Sequence, residues 1–227
     1  MKRKHEQSVA DNFSSHFMRF ASQQGKQVNK CSLDGQDAIL GADYIFTDAS
    51  NFALIEFKFE ERDIKAEGRK PLRSRLCMRL DQEQNRRFQS LKCHYIAWSQ
   101  NRGNRTVKLN QYYPEVCNNA IFSNEVNNRL VHDKPQVSSR VSADAVFTHF
   151  LNGTIGSNYY MFKQYTNWLM ALGGHEGATI EVMLDNPYSN QLDIIDFPSL
   201  DLMKNWLDHN KPKRQNIHTP PSNSPFG

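Results

Sequence analysis

Apolar residues recur along the chain with two periods, and the changes of period divide it into elements. In residues 5–22, HEQSVADNFSSHFMRFAS, Val9, Phe13, Phe17 and Phe20 fall on one stripe at about 100° per residue, which predicts an amphipathic helix. Glu6 projects within that stripe. Residues 36–60 change period: AILGADYIFTD and FALIEFKFE read as two strands of a hairpin, separated by the turn-forming Asp48, Ala49, Ser50 and Asn51. Pro71 can open a second helix running to about Leu91, with Leu76, Leu80, Phe88 and Leu91 as its buried stripe. HYIAWS at 94–99 follows as another strand.

Farther on, VKLNQYY (107–113) reads as a strand and residues 114–141 as loop-rich. Two helices are expected at about 142–151 and 157–172, the second capped by Ser157, then a hairpin of TIEVMLD and LDIIDF and a last helix at 199–208. The aromatic run Tyr159, Tyr160, Phe162, Tyr165 and Trp168 reads as core packing. The Pro/Ser/Asn-rich tail KPKRQNIHTPPSNSPFG is expected to be disordered. The expected organisation is a core over 1–113, an α+β extension over 114–209 and a tail over 210–227.

The 227 residues are 38% hydrophobic and 23% charged, a folded composition that excludes disorder of the whole chain. No apolar run approaches the roughly 18 to 20 residues of a membrane span, and the basic start MKRKHEQS leads into an amphipathic stretch rather than a signal-peptide core. A soluble, cytoplasmic protein with no membrane partner is the expectation. Cys31, Cys77, Cys93 and Cys117 show neither CxxC nor zinc spacing, which favours a reducing compartment. Charge is distributed unevenly. Residues 62–108 hold thirteen Lys/Arg against four Asp/Glu, and residues 141–209 hold two against eight. The basic middle suits a polyanion such as nucleic acid, and the acidic C-terminal part offers a surface to a partner protein.

The hairpin carries the chemistry. Alternation in FALIEFKFE puts Leu54, Glu56, Lys58 and Glu60 on one face and Ala53, Ile55, Phe57 and Phe59 on the other. With the turn centred on residues 48–51, Tyr44 meets Ile55, Ile45 meets Leu54, and Asp43 lies opposite Glu56, Cβ atoms about 4.5 to 5.5 Å apart. Like charges so placed destabilise a sheet unless something positive lies between them, and the candidates are Lys58 and a divalent cation. Carboxylates without His or Cys are the ligand set of a hard ion such as Mg²⁺, which also takes phosphate oxygens, and that combination is a phosphodiesterase site. An exposed hairpin whose acids pair with Lys58 and Arg62 is the structural alternative.

These residues, GADYIFTDASNFALIEFKFEE, resemble the active-site hairpin of the PD-(D/E)xK nuclease superfamily, with Ala42 where a Pro often precedes the Asp. The order helix, strands with Asp then ExK, helix, strand is similar to that superfamily's αβββαβ core over about residues 5–100. The resemblance implies an α/β fold with a restriction-endonuclease-like core on a mixed sheet, followed by a C-terminal α+β segment. It implies a Mg²⁺-dependent (endo)deoxyribonuclease, with Mn²⁺ as a substitute, acting on DNA and compatible with a homodimer. Asp43 and Glu56 would be metal ligands, the Phe57 backbone carbonyl would join them, and Lys58 would orient the attacking water. An acid on the first helix, here Glu6, would be a further ligand; a first-turn Glu favoured by the helix dipole is the alternative. Gln84, between Leu80 and Phe88 by helical angle, would be aimed at the site, or would be a buried structural Gln. Arg73, Arg75, Arg79, Arg86 and Arg87 could meet backbone phosphates. A nuclease-like fold used as a nucleic-acid-binding or assembly module is the rival reading.

Overall fold

Burial of Val9, Phe13 and Phe17 fixes the first helix, α1 (Arg3–Gln23), against one face of a sheet. The computed structural model describes residues 3–33, 35–123, 130–189, 191 and 193–210. The tail expected to be disordered lies outside them. After α1 come β1 (Asn29–Ser32), the single-turn α2 (Asp37–Leu40), β2 (Tyr44–Thr47) and β3 (Phe52–Glu60). The chain then forms a nine-residue 3₁₀ strap (Glu61–Arg69), α3 (Arg73–Gln82), α4 (Gln84–Cys93), β4 (His94–Arg102), β5 (Asn104–Gln111) and α5 (Tyr112–Val116). Beyond it lie β6 (Val141–Ser142), α6 (Ala143–Leu151), α7 (Tyr159–Leu172), β7 (Val182–Asp185), β8 (Ile194–Phe197) and α8 (Leu200–His209).

The eight strands form one mixed sheet in the order β6-β5-β4-β3-β2-β1-β7-β8, antiparallel throughout except for the parallel pair β3 and β4. Alternation along β3 assigns the two cores. Ala53, Ile55 and Phe57 join the α1 side with Phe13, Phe17, Phe46 and, from α6, Phe147 and Phe150. Phe52 and Leu54 join the opposite side with Ile96, Trp98 and, from α7, Phe162, Tyr165 and Leu169. Residues beyond 113 supply β6, β7 and β8 to this same sheet, so the expected boundary near residue 113 is no break in it.

The hairpin register is the one the turn residues predict. Tyr44 pairs with Ile55, Ile45 with Leu54, Phe46 with Ala53 and Thr47 with Phe52. Asp48 Oδ1 closes the turn by accepting the Ser50 and Asn51 amides at 2.9 and 2.7 Å.

Several local expectations are corrected. Residues 37–40 are a helical turn rather than strand, because Gly41 closes it in the left-handed region at φ 76°. A Cβ at Gly41 would lie 3.2 Å from both Arg73 and His94. The helix expected from Pro71 to Leu91 is two helices broken at Glu83, whose φ −103° and ψ 91° are extended. The break resets the helical phase and leaves Phe88 52% exposed. Tyr112 and Tyr113 belong to α5, not to a strand. Asn158 rather than Ser157 caps α7, accepting the Met161 amide at 3.0 Å. A disulfide joins Cys77 and Cys117, 40 residues apart, because packing of α3 beside the end of α5 brings their Cα atoms to 5.0 Å. Among the described residues no helix is long and apolar enough to cross a membrane.

Candidate active site

Two segments meet where the loop before β2 runs beside the second half of β3. The Asp43 amide donates to the Ile55 carbonyl at 3.0 Å, extending the hairpin register by one step. Its carboxylate Oδ2 accepts the Phe57 amide at 2.6 Å. Asp43 and Glu56 therefore face one cavity of about 500 Å³, which Glu6, Lys58 and Lys70 also line. The exposed-hairpin alternative fails on exposure, since Glu56 is 1% and Lys58 3% exposed, but the pairing of its acids with Lys58 and Arg62 is present. Arg62 pairs with Glu60 at 2.8 Å, outside this group.

Lys58 is the centre of a charge network. Its ammonium contacts Glu56 Oε1, donates to the Phe57 carbonyl at 3.1 Å and lies 3.1 Å from Glu67 Oε1. Lys70 reaches the same two carboxylates, at 2.5 Å from Glu56 Oε1 and 2.8 Å from Glu67 Oε1. Glu67, fully buried, also receives Arg73 Nε at 3.3 Å and the Tyr112 hydroxyl at 2.7 Å. Behind it His94 stacks on Tyr112 and is bonded to the Tyr165 hydroxyl at 2.9 Å and the Gly41 carbonyl at 2.8 Å.

The strap places Glu67 and Lys70. Glu60 and Asp63 form a reciprocal cap at its start, and Arg140 ties Glu61 to Glu115. At three residues per turn, Ile64, Glu67 and Lys70 share one side. Ile64 and Glu67 are buried, and Gly68 packs so closely on Ile121 that a Cβ there would lie 2.3 Å from the Ile121 carbonyl oxygen.

Burial, and then the charge of Glu56, push the Asp43 carboxyl up to about 7, against the lowering effect of the Phe57 amide. Burial also raises Glu6, with Lys58 opposing. For Lys58, burial favours the neutral amine, but the charges of Glu56 and Glu67 outweigh it and hold the ammonium above its ordinary value. Burial would raise Glu67, but Lys58 and Lys70 hold it well below the usual carboxylate range. His94 is pushed down to about 3 by burial, so it is neutral.

Among the described residues no group of three or more His, Cys, Asp or Glu side chains is arranged to hold a metal ion. The pair does carry a cation-shaped deficit. Glu56 Oε2 is buried and receives no hydrogen bond, and Asp43 is raised by burial and by the charge of Glu56 although Lys58 and Lys70 oppose the rise. A hard divalent ion, held by one or two carboxylates with water completing its shell, suits those oxygens and the Phe57 carbonyl.

Asp43, Glu56, Phe57, Lys58 and Glu6 are thus brought together. Gln84 is not. It is exposed at the start of α4 and lines a separate groove of about 1130 Å³, together with Arg86 and Trp168. The break at Glu83 turns it away. Arg73 is fully buried, with its side chain bonded to Glu67 and to the Asp37 carbonyl, and is closed to phosphate. Arg75 is exposed, Arg79 pairs with Glu83 at 2.6 Å, Arg86 packs on Gln89 and the Gln164 carbonyl, and Arg87 bonds the Asp81 carbonyl. Glu67 and Lys70 escaped the sequence reading. The three-residue spacing Ile64, Glu67, Lys70 after the ExK strand was the available signal.

No protein-family model, no curated protein and no solved structure matches the chain.

Proposed function

We propose that this chain is a metal-dependent nuclease of PD-(D/E)xK type that hydrolyses phosphodiester bonds of DNA. The observation that carries the reading is one cavity holding Asp43 and Glu56 side by side with Lys58, where Glu56 Oε2 is buried without a donor. In support, the order α1, β1, β2, β3, helical crossover, β4, with β3 and β4 parallel, is the order expected of an αβββαβ core.

Asp43, Glu56 and the Phe57 carbonyl would hold Mg²⁺ or Mn²⁺, with Glu6 lining the same cavity. The ion, when bound, supplies Lewis-acid stabilisation of the phosphoryl oxygens. The water and the developing charge fall to Lys58. Its ammonium, kept charged by Glu56 and Glu67, orients water for in-line attack and offsets the negative charge that develops on phosphorus-bound oxygen. Glu67 holds that ammonium from behind without reaching the substrate.

The rival reading is a binding or assembly module on the same fold, and one observation favours it. Lys58 and Lys70 both neutralise Glu56, so the cluster is already balanced in part without an added ion. Incubation of the purified protein with plasmid, linear and single-stranded DNA, with and without Mg²⁺, decides between the two. The nuclease reading expects Mg²⁺-dependent cleavage that Lys58→Ala and Glu56→Gln each abolish. Cleavage at the parent rate by Glu56→Gln removes Glu56 from the site, and DNA retention with no cleavage under any condition returns the chain to the binding class.

A further inference from the structure

We propose that Lys70 is the resident counter-cation of the Asp43 and Glu56 pair, and that its ammonium leaves Glu56 when a divalent ion takes the two carboxylates, so that Lys70 sets how tightly the ion is held. This rests on the metal-dependent reading above and adds to it an exchange.

Four carboxyl groups, from Glu6, Asp43, Glu56 and Glu67, gather around three cations, Lys58, Lys70 and Arg73. Two of the cations are enclosed. The side chains of Lys58 and Arg73 are 4% and 0% exposed, and both are tied to Glu67, at 3.1 and 3.3 Å. Lys58 also rises from the same strand as Glu56, two residues on, and lines the cavity from its floor. Lys70 differs, with a side chain that is 36% exposed at the rim of the cavity.

Its backbone is fixed, and its side chain is held at the tip by Glu56 and Glu67. The Lys70 amide donates to the Glu67 carbonyl at 3.1 Å and closes the strap, and Pro71 follows with its fixed φ. From there a flexible four-carbon stem carries the ammonium to 2.5 Å from Glu56 Oε1, an oxygen that Lys58 also contacts. One oxygen of Glu56 thus receives two ammonium groups while the other, Oε2, receives none. An ammonium at that distance occupies space that a divalent ion and its water shell need, since Mg²⁺ binds oxygen at about 2.0 to 2.1 Å and keeps several waters. Lys70 on Oε1 also repels a dication on Oε2 of the same carboxylate, so Lys70 and the ion compete for Glu56. A dication in and one ammonium out to solvent also breaks the 2.8 Å contact of Lys70 with Glu67, which keeps Lys58 and Arg73 as its partners.

Calorimetric titration of Mn²⁺ into the metal-stripped protein tests the exchange without reference to cleavage. Lys70→Gln removes the competing charge and is expected to bind Mn²⁺ about fivefold more tightly than the parent, the fold-change equivalent to a partly exposed ion pair of about 1 kcal/mol. Lys70→Ala repeats the test with the stem removed as well, and Lys70→Arg, which keeps the charge, is expected to bind like the parent. Circular dichroism establishes that each variant is folded. Equal or weaker binding by the folded Gln or Ala variant overturns the exchange and leaves the nuclease reading standing, because the parent still binds the ion. Absence of Mn²⁺ binding from parent and variants alike overturns both.

Discussion

The Asp43 carboxylate accepts the Phe57 backbone N–H at 2.6 Å, so the residue in front of β2 is fastened to the strand between Glu56 and Lys58. That bond holds an acid where burial and Glu56 both disfavour its charge, and its pKa rises to about 7. In the ion-free protein the folded chain therefore binds a proton more tightly than the unfolded chain does. The stability this contributes is complete below about pH 4 and is lost as pH rises through 7. Asp43→Asn keeps the acceptor for Phe57 without the titration. Melting of both proteins in chelator from pH 4 to 8 should show the parent falling relative to the variant as pH rises. A difference independent of pH would remove Asp43 from the titration.

Glu67 is the buried anion that Lys58, Lys70 and Arg73 share. Glu67→Gln preserves shape but leaves the enclosed Arg73 and Lys58 without their common counter-charge. Breaking a buried pair from one side costs about 3 to 5 kcal/mol, and urea unfolding should report a loss of that order. A loss under about 1 kcal/mol, the range of exposed pairs, would mean that solvent screens the network.

Gly68 fixes how closely the strap lies on the loop after α5. In Gly68→Ala the new Cβ would start 2.3 Å from the Ile121 carbonyl oxygen, which is backbone and cannot rotate away. The strap has to shift, carrying Glu67 and Lys70 with it. A destabilisation of about 1 to 3 kcal/mol, as for other overpacked sites, is expected in the same unfolding experiment. Unchanged stability would show that this contact is relaxed in solution.

Arg69 is an exposed cation of the strap, three residues from the cavity-lining Ala66 and so on the same side of a 3₁₀ turn. Arg69→Ala should weaken DNA binding and reduce the slope of log affinity against log salt by about 1, the release of one counterion. Arg86→Ala should leave the slope unchanged, because Arg86 lies in the other groove, engaged with Gln89 and Gln164. The reverse pattern in filter-binding titrations would move the DNA track to α4.

What the sequence alone determined is what depends on neighbours in the chain. The α1 stripe Val9, Phe13, Phe17 follows from helical period, and the pairing that sets Asp43 beside Glu56 follows from alternation in β3 and a turn closed by Asp48. The short strand β1, polar in all but Cys31, has no period to betray it and forms because β2 and β7 flank it. Arg73, expected to meet phosphate, is instead buried against Glu67 where α3 docks on the strap. Gln84 was placed by a helical phase that Glu83 interrupts. Cys77 and Cys117 carry no local mark of their bond, and the second lysine on Glu56 comes from a residue fourteen positions away. Periodicity and turn chemistry act over a few residues and can be read in one dimension. Charge pairing and burial act through space, so the partners of Glu56 and Lys58 were decided only when the strap and α3 closed over the end of β3.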